Sequence, residues 1–138
     1  MTPRGIGYLI KTINDKLKTQ ADAALKNHAL TFSQSCVLTF LNGQGGQATQ
    51  KEIEDFMEVS HPTTVGIGSR MEENGYVTTW FDARQRSKQV RLTPKARAIG
   101  AEMDQVIQLQ EDTMLRGLSK KEIVELERLL AVVHNNLK

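Results

Sequence analysis

Apolar residues recur at spacings of three and four along most of this chain of 138 residues, which is the periodicity of amphipathic helices. The pattern predicts a first helix from residue 8 to about 28, a second ending near residue 42 and a short third ending at residue 57. Thr31 with Gln34, and Thr49 with Glu52, have the spacing of capping boxes at the starts of the second and third helices. The glycines between residues 43 and 46 are expected to end the second helix.

The periodicity changes within residues 60–94. Ser60 predicts the N-cap of a fourth helix, and Asn74-Gly75 signals its end. Residues 76–81 are rich in threonine and aromatic residues, and residues 89–92 alternate polar and apolar side chains, so both favour strands. We therefore expect a short helix followed by a β-hairpin.

Two more helices complete the pattern. Thr93-Pro94 predicts the start of a fifth helix ending near Gly117, and Ser119 with Glu122 predicts a capping box for the last one. The last helix carries an apolar seam to the end of the chain, at Ile123, Leu126, Leu130, Val133 and Leu137. We expect the first and the last two helices to form an interface, most simply that of a symmetric homodimer. The alternative is that these apolar stripes pack within their own domain.

Composition narrows the class of protein. Hydrophobic residues at 39% and charged residues at 25% are ordinary for a folded domain, and no apolar run is long enough to cross a bilayer. The single cysteine, Cys36, excludes an internal disulfide and fits the cytoplasm. The scattered histidines have no metal-site spacing, and no catalytic motif or phosphate loop is present, so we expect no metal, no cofactor and no enzyme.

Charge is concentrated in one short segment. Residues 82–97 contain six basic side chains and one acid, Asp82, which gives a local charge of +5 in a chain whose total is +2. The other residues therefore sum to −3. A cationic hairpin directly after a helix of small polar side chains suits double-stranded DNA, because phosphate contacts give affinity and base contacts give sequence choice.

The third and fourth helices, separated by two residues, form a helix-turn-helix, and the hairpin after them is a wing. In this order of segments the chain resembles the multiple-antibiotic-resistance (MarR) type of bacterial winged-helix transcriptional regulators. The resembling segments are Leu30 to Gln34, Ser60 to Gly75, Arg86, Leu92 to Lys95 and Gly117 to Glu122.

The resemblance implies a mainly α fold with a small antiparallel β-hairpin. Residues 1–138 would form one regulator domain, with residues 30–94 as the winged helix-turn-helix lobe and residues 1–29 and 95–138 as dimerisation helices. It further implies a homodimer that acts as a repressor on a pseudo-palindromic operator, with half-sites roughly 10 base pairs apart. An unidentified small aromatic or acidic effector would bind a cleft between the first two helices and the fifth.

The fourth helix can be divided by face. We expect Val65, the Ile67-Gly68 region and Met71 to point inward, whereas Ser60 and His61 lie where helix N-terminal amides can meet a phosphate. The side chains left for the major groove are those of Pro62, Thr63, Thr64, Gly66, Ser69 and Arg70. The alternatives are ordinary first-turn capping for the threonines and a surface ion pair for Arg70.

The wing departs from the family at one position. The family pattern places an acid at position 84 and an arginine at position 86; here Arg86 matches and Arg84 does not. We expect Arg86 to approach the minor groove and Arg84 and Lys88 to contact phosphates. Either Asp82 orients Arg86 in place of the missing acid or the wing tip is a plain cationic arm. The alternative without DNA is a mobile, solvated hairpin.

Two other functions remain open from the sequence. The winged helix could be a protein-interaction module whose basic wing meets an acidic partner. The chain could also be an oxidation sensor acting through Cys36, as in some members of the family it resembles, although no cationic residue near it in sequence would activate the thiol.

Overall fold

A computed structural model describes residues 5–137, and the fold is mainly α with a small antiparallel sheet, as the sequence predicts. The elements in chain order are α1 (Gly5–Leu25), a 3₁₀ turn (Lys26–His28), α2 (Phe32–Gly43), β1 (Gln47–Thr49), α3 (Gln50–Met57), α4 (His61–Glu73), β2 (Val77–Asp82), β3 (Ser87–Leu92), α5 (Pro94–Ala98), α6 (Gly100–Met114) and α7 (Lys120–Asn136).

The predicted helix starts are confirmed at atomic detail. The capping boxes at Thr31, Thr49 and Ser119 are all formed. In each, the N-cap hydroxyl accepts a hydrogen bond from the backbone amide three residues on, and the side chain of that N3 residue accepts one from the N-cap backbone amide. These local bonds satisfy amides that have no helical partner, so short-range sequence suffices to place them.

The sheet has three strands, not the two predicted. Its order is β1-β3-β2 with both pairings antiparallel, so β3 is central and β2 is an edge strand. The missed strand, β1, pairs Gln47 with Arg91 and Thr49 with Gln89. Three residues are too few to show an alternating pattern, and this strand exists because β3 supplies its hydrogen-bond partners.

The predicted fifth helix is two helices. α5 ends at Ala98 and α6 begins at Gly100, with Ile99 as the C-cap residue between them. Glycine has a low helix propensity, which favours a break at this point in an otherwise continuous pattern. The first predicted helix likewise ends earlier than expected, at Leu25, and a 3₁₀ turn carries the chain to Ala29, whose φ is 55°.

Of the described residues, those from Gly5 to Val106 form one compact unit with a hydrophobic core. Its largest fully buried side chains are those of Tyr76, Leu25, Leu41, Met71, Met103 and Val77. The Tyr76 phenol donates a hydrogen bond to the carbonyl oxygen of His28, and burial raises the pKa of Tyr76 above its ordinary value. The phenol therefore stays protonated and joins the base of the wing to the 3₁₀ turn after α1.

The second unit runs from Ile107 and consists of the end of α6, a turn at Gly117 with φ 89°, and α7. Apolar side chains on α7 are left exposed, namely those of Val124, Leu129, Leu130 and Val132, as is the side chain of Leu137 directly after the helix. Apolar side chains are also exposed on α1 in the first unit, at Ile6, Tyr8, Leu9, Ile10 and Ile13. The predicted division into DNA-binding and dimerisation parts stays a prediction.

Among residues 5–137, no helix combines the length and apolar character needed to cross a membrane. The same residues contain no group of three or more His, Cys, Asp or Glu side chains placed to hold a metal ion.

Replacing Tyr76 with phenylalanine tests the link at the base of the wing. Tyr76→Phe keeps the ring but leaves the His28 carbonyl without its donor, so the free energy of unfolding should fall by about 1 kcal/mol. Urea denaturation measures this as a lower midpoint with an unchanged slope. A midpoint equal to that of the unsubstituted chain would show that the hydrogen bond contributes nothing.

Candidate nucleic-acid interface

The fourth helix, α4, is held by a cap at one end and by one buried face. The Ser60 hydroxyl accepts a hydrogen bond from the Thr63 backbone amide at 3.3 Å, and proline occupies the first turn, where its missing N–H costs nothing. Thr64, Ile67 and Met71 are buried, at the three- and four-residue spacing of one helical face. The helix packs this face on α2, α3 and β2.

The structure corrects the role predicted for Thr64. Its side chain is only 4% exposed, and its hydroxyl donates to the Ser60 carbonyl oxygen at 3.2 Å. Thr64 lies one turn before Ile67 on the buried face, so its side chain packs against the core and cannot reach a groove. Val65, expected to point inward, is only half-buried, whereas Ile67 and Met71 are buried as predicted.

The opposite face of α4 is open. Pro62, Thr63, Ser69 and Arg70 are exposed, and Gly66 between them is half-buried. Within residues 5–137 the Arg70 guanidinium has no hydrogen bond or ion pair, so the surface ion pair considered as an alternative is not formed. This face presents small polar side chains, one arginine and no bulky obstruction, which suits the width of a major groove.

His61, the first residue of α4, is engaged by a carboxylate. Its ring nitrogen Nδ1 is hydrogen-bonded to Oε1 of Glu54 on α3, a side chain that is only 14% exposed. The pair ties α3 to the start of α4 across the turn between them. It also places a carboxylate beside the helix N-terminus, so a phosphate predicted at His61 would have to approach beside that acid. Glu54 was not predicted from the sequence, because only the turn between α3 and α4 brings its carboxylate next to His61.

Asp82 shapes the wing turn. Its Oδ1 accepts hydrogen bonds from the backbone amides of Arg84 at 2.9 Å and Gln85 at 3.3 Å. The turn ends at Arg86, which has a φ of 50°. In the described chain the side chain of Arg86 has no hydrogen bond or ion pair, and Asp82 acts on the backbone instead of on that guanidinium. The tip is therefore a cationic arm on an ordered turn.

The body of the wing is tied down by side chains. Arg91 donates from Nε and Nη2 to Oε1 of Gln47, at 3.0 and 2.9 Å, and its guanidinium lies 4.7 Å from the ring centroid of Trp80. On the other side, Thr79 donates from its amide and its hydroxyl to Glu72 on α4. These contacts oppose the alternative of a mobile hairpin. They also show that Arg91, part of the cationic segment, serves the sheet.

The geometry gives little support to an oxidation sensor at Cys36 or to a ligand pocket near the predicted effector cleft. Burial raises the pKa of the Cys36 thiol above its ordinary value, and a hydrogen bond with Ser35 offsets this only in part. A smaller thiolate fraction makes an oxidation sensor less reactive. The crevice between α2 and α6, near the predicted effector cleft, has a volume of only about 10 Å³, far below the ~300 Å³ of small ligand pockets.

Comparison with known proteins gives the interface a context. Residues 29–86 match the sequence model of the MarR family. The fold is similar to that of Staphylococcus aureus MepR in a complex with DNA, at 22% identity over 100% of both chains with a TM-score of 0.89. It is also similar to the transcriptional regulator SlyA, at 24% identity over 94% of this chain and 92% of that one, with a TM-score of 0.87.

A third similar structure is the organohalide-sensing regulator RdhR in its 2,4-dichlorophenol-bound form. It is 20% identical over 94% of this chain and 78% of that one, with a TM-score of 0.84. At such identities these three likenesses establish the fold alone, a mainly α winged helix-turn-helix with a small antiparallel sheet.

Two glycines in α4 allow a matched test of its open face. A Cβ at Gly68 would meet no atom within 4 Å, and one at Gly66 would meet only Arg70 Nη2 at 3.7 Å, an ordinary contact. Either Gly→Ala change should therefore stabilise the helix by about 1 kcal/mol. Gly66→Ala adds a methyl to the open face and should weaken duplex binding about tenfold, measured by titration of a labelled operator. Gly68→Ala, on the side next to the wing, should bind normally. Equal affinities for the two variants would contradict this assignment of the open face.

Proposed function

We propose, from the match of residues 29–86 to the sequence model of the MarR family, that the protein is a transcriptional regulator of that family and binds double-stranded DNA sequence-specifically. It acts as a homodimeric repressor in the cytoplasm, with one α4 helix in the major groove of each operator half-site. It is a binding protein and not an enzyme.

One observation carries the proposal, the set of basic side chains left without partners. The side chains of Arg70, Arg84, Arg86 and Lys88 are exposed and have no ion pair or hydrogen bond within the described residues. The net charge of the chain is only +2, yet four cations lie on one helix face and the adjacent wing. This local positive charge favours binding of a polyanion. Arg70 would bond base edges, Arg86 would enter the minor groove, and Arg84 and Lys88 would bind phosphates.

The apolar side chains exposed on α7 support the homodimer. Leucine and valine side chains stay exposed along α7 at a density unusual for a surface helix, so a second copy is the simplest partner to bury them. Two copies of α4 would then read two half-sites about one helical turn, or roughly 10 base pairs, apart.

Regulation by a small ligand follows the same premise. The similar regulator RdhR is known with 2,4-dichlorophenol bound, which supports a small aromatic effector for this chain. Such a molecule would release the operator by binding one spacing of the two α4 helices more tightly than the other, since equal affinity shifts nothing.

Arginine-to-glutamine variants in the wing test the proposal. Arg86→Gln keeps a Cβ and therefore the same backbone cost at φ 50°, but it removes the charge and the forked donors. Binding to a duplex from the protein's own promoter should fall sharply, by about tenfold to a hundredfold, with loss of preference for A·T pairs at the wing contact. Fluorescence anisotropy at several salt concentrations gives both the affinity and the salt slope.

Arg84→Gln is the matched control for charge. It should mainly lower the salt slope by about 1, because it removes one phosphate contact that carries no sequence information. If a scrambled duplex bound as tightly as the promoter duplex, sequence-specific regulation would be excluded, and an acidic protein partner for the wing would become the better explanation.

The dimer can be tested on α7 with two side chains of equal exposure. Leu130 and Val132 are each 48% exposed, but only Leu130 lies on the apolar seam. Leu130→Asp should shift the protein from dimer to monomer in sedimentation at micromolar concentration, because it would bury an unpaired carboxylate. Val132→Asp should remain dimeric. Dimers that persist equally in both variants would place the interface elsewhere.

A further inference from the structure

The inner face of the β2–β3 hairpin continues beyond the protein core. Cross-strand partners share a face of the sheet, and the pairs Val77 with Leu92, Thr79 with Val90 and Phe81 with Lys88 lie in succession along one face. The first pair is fully buried, and Val90 is buried beside a half-buried Thr79. The third pair is exposed, and Phe81 has 67% of its surface open to solvent.

This face is the one that meets α4. Thr79, Lys88 and Val90 line a small crevice with Val65 and Gly68 of the helix. Since Phe81 follows Thr79 by two residues on the same strand, it lies on the α4 side of the wing, toward the tip. It therefore lies between the crevice beside α4 and the cationic turn, where we expect a nucleic-acid strand running from one groove to the next to pass.

An exposed phenylalanine on an edge strand needs a reason, because such edges invite association with other chains. Lys88 pairs with Phe81 across the two strands, and Arg84 and Arg86 follow in the turn, while the nearby acid, Asp82, accepts hydrogen bonds from backbone amides. This combination of one apolar ring and several cations matches a DNA strand, which alternates phosphates with apolar sugar surfaces.

We propose that Phe81 packs against a deoxyribose of the DNA strand that separates the major groove read by α4 from the minor groove approached by Arg86, while Lys88 binds the adjoining phosphate. This inference rests on the proposed DNA-binding function and adds an apolar contact that no charged side chain supplies. Phe81 thus fixes how deeply the wing sits on the duplex.

The contact has a distinctive signature in salt. Displacement of counterions depends on charges, so removal of an apolar ring lowers affinity at every salt concentration without changing the slope. Phe81→Ala should weaken binding about tenfold, as expected for the loss of roughly half of a phenylalanine's burial. Lys88→Gln should instead reduce the salt slope by about 1.

The experiment is a titration of promoter duplex across a salt series with four proteins: the unsubstituted chain, Phe81→Ala, Lys88→Gln and Thr78→Ala. Thr78 is exposed on the opposite face of the same strand, so its variant should bind normally and serves as the control. Thermal unfolding of Phe81→Ala should be nearly unchanged, because the ring is mostly outside the core.

The outcomes separate this inference from the function on which it rests. If the unsubstituted chain binds its duplex specifically and Phe81→Ala binds equally well, the Phe81 contact is wrong and the regulator proposal stands. A Phe81→Ala defect that appears only as a lower salt slope, or only as a change of oligomeric state, also overturns the contact. Failure of the unsubstituted chain to bind any duplex overturns both.

Discussion

Burial of one narrow face of α4 is the constraint on which the rest of the structure depends. The helix contains two interior glycines, and each costs about 1 kcal/mol relative to alanine, so propensity alone would not maintain it. Thr64, Ile67 and Met71 anchor it to the core, and the Ser60 cap satisfies its first turn. The open side is then free to carry polar and small side chains, because burial of the other side stabilises the helix.

The wing is divided in the same way, into strands that are fixed to the rest of the protein and a turn that is exposed to solvent. Glu72 of α4 holds β2 through Thr79, and Gln47 of β1 holds β3 through Arg91, so the hairpin is fixed on both sides. Asp82 then orders the turn itself. An arm that is ordered before it meets DNA loses less conformational entropy on binding, which leaves more of the contact energy as affinity.

Local signals in the sequence predicted most of the fold. The capping boxes at Thr31, Thr49 and Ser119 are confirmed, because each depends on residues three apart, and the hairpin was predicted from its composition and alternation. β1 was missed because its partner is more than 40 residues away, and the break at Ile99 was missed because the apolar stripe continues through it.

The features of the candidate site likewise fall into those that the sequence predicts and those that only the structure shows. The open face of α4 and the cationic wing tip follow from residue type and periodicity. The burial of Thr64, the Glu54–His61 pair and the action of Asp82 on backbone amides depend on tertiary packing, which spacing does not reveal. Phe81 was not predicted as a site residue from the sequence either, because a phenylalanine in a strand is ordinarily a core residue. Only the register of β2 with β3 shows that Phe81 lies beyond the last buried pair.

Selection of bound duplexes from a random pool, at a stated salt concentration, tests the central claim most directly, because it asks at once for DNA binding, sequence choice and two-fold symmetry. We expect enrichment of a pseudo-palindrome with half-sites centred about 10 base pairs apart and A·T-rich flanks where the wings lie. A pool that shows no enriched motif after repeated rounds would contradict it.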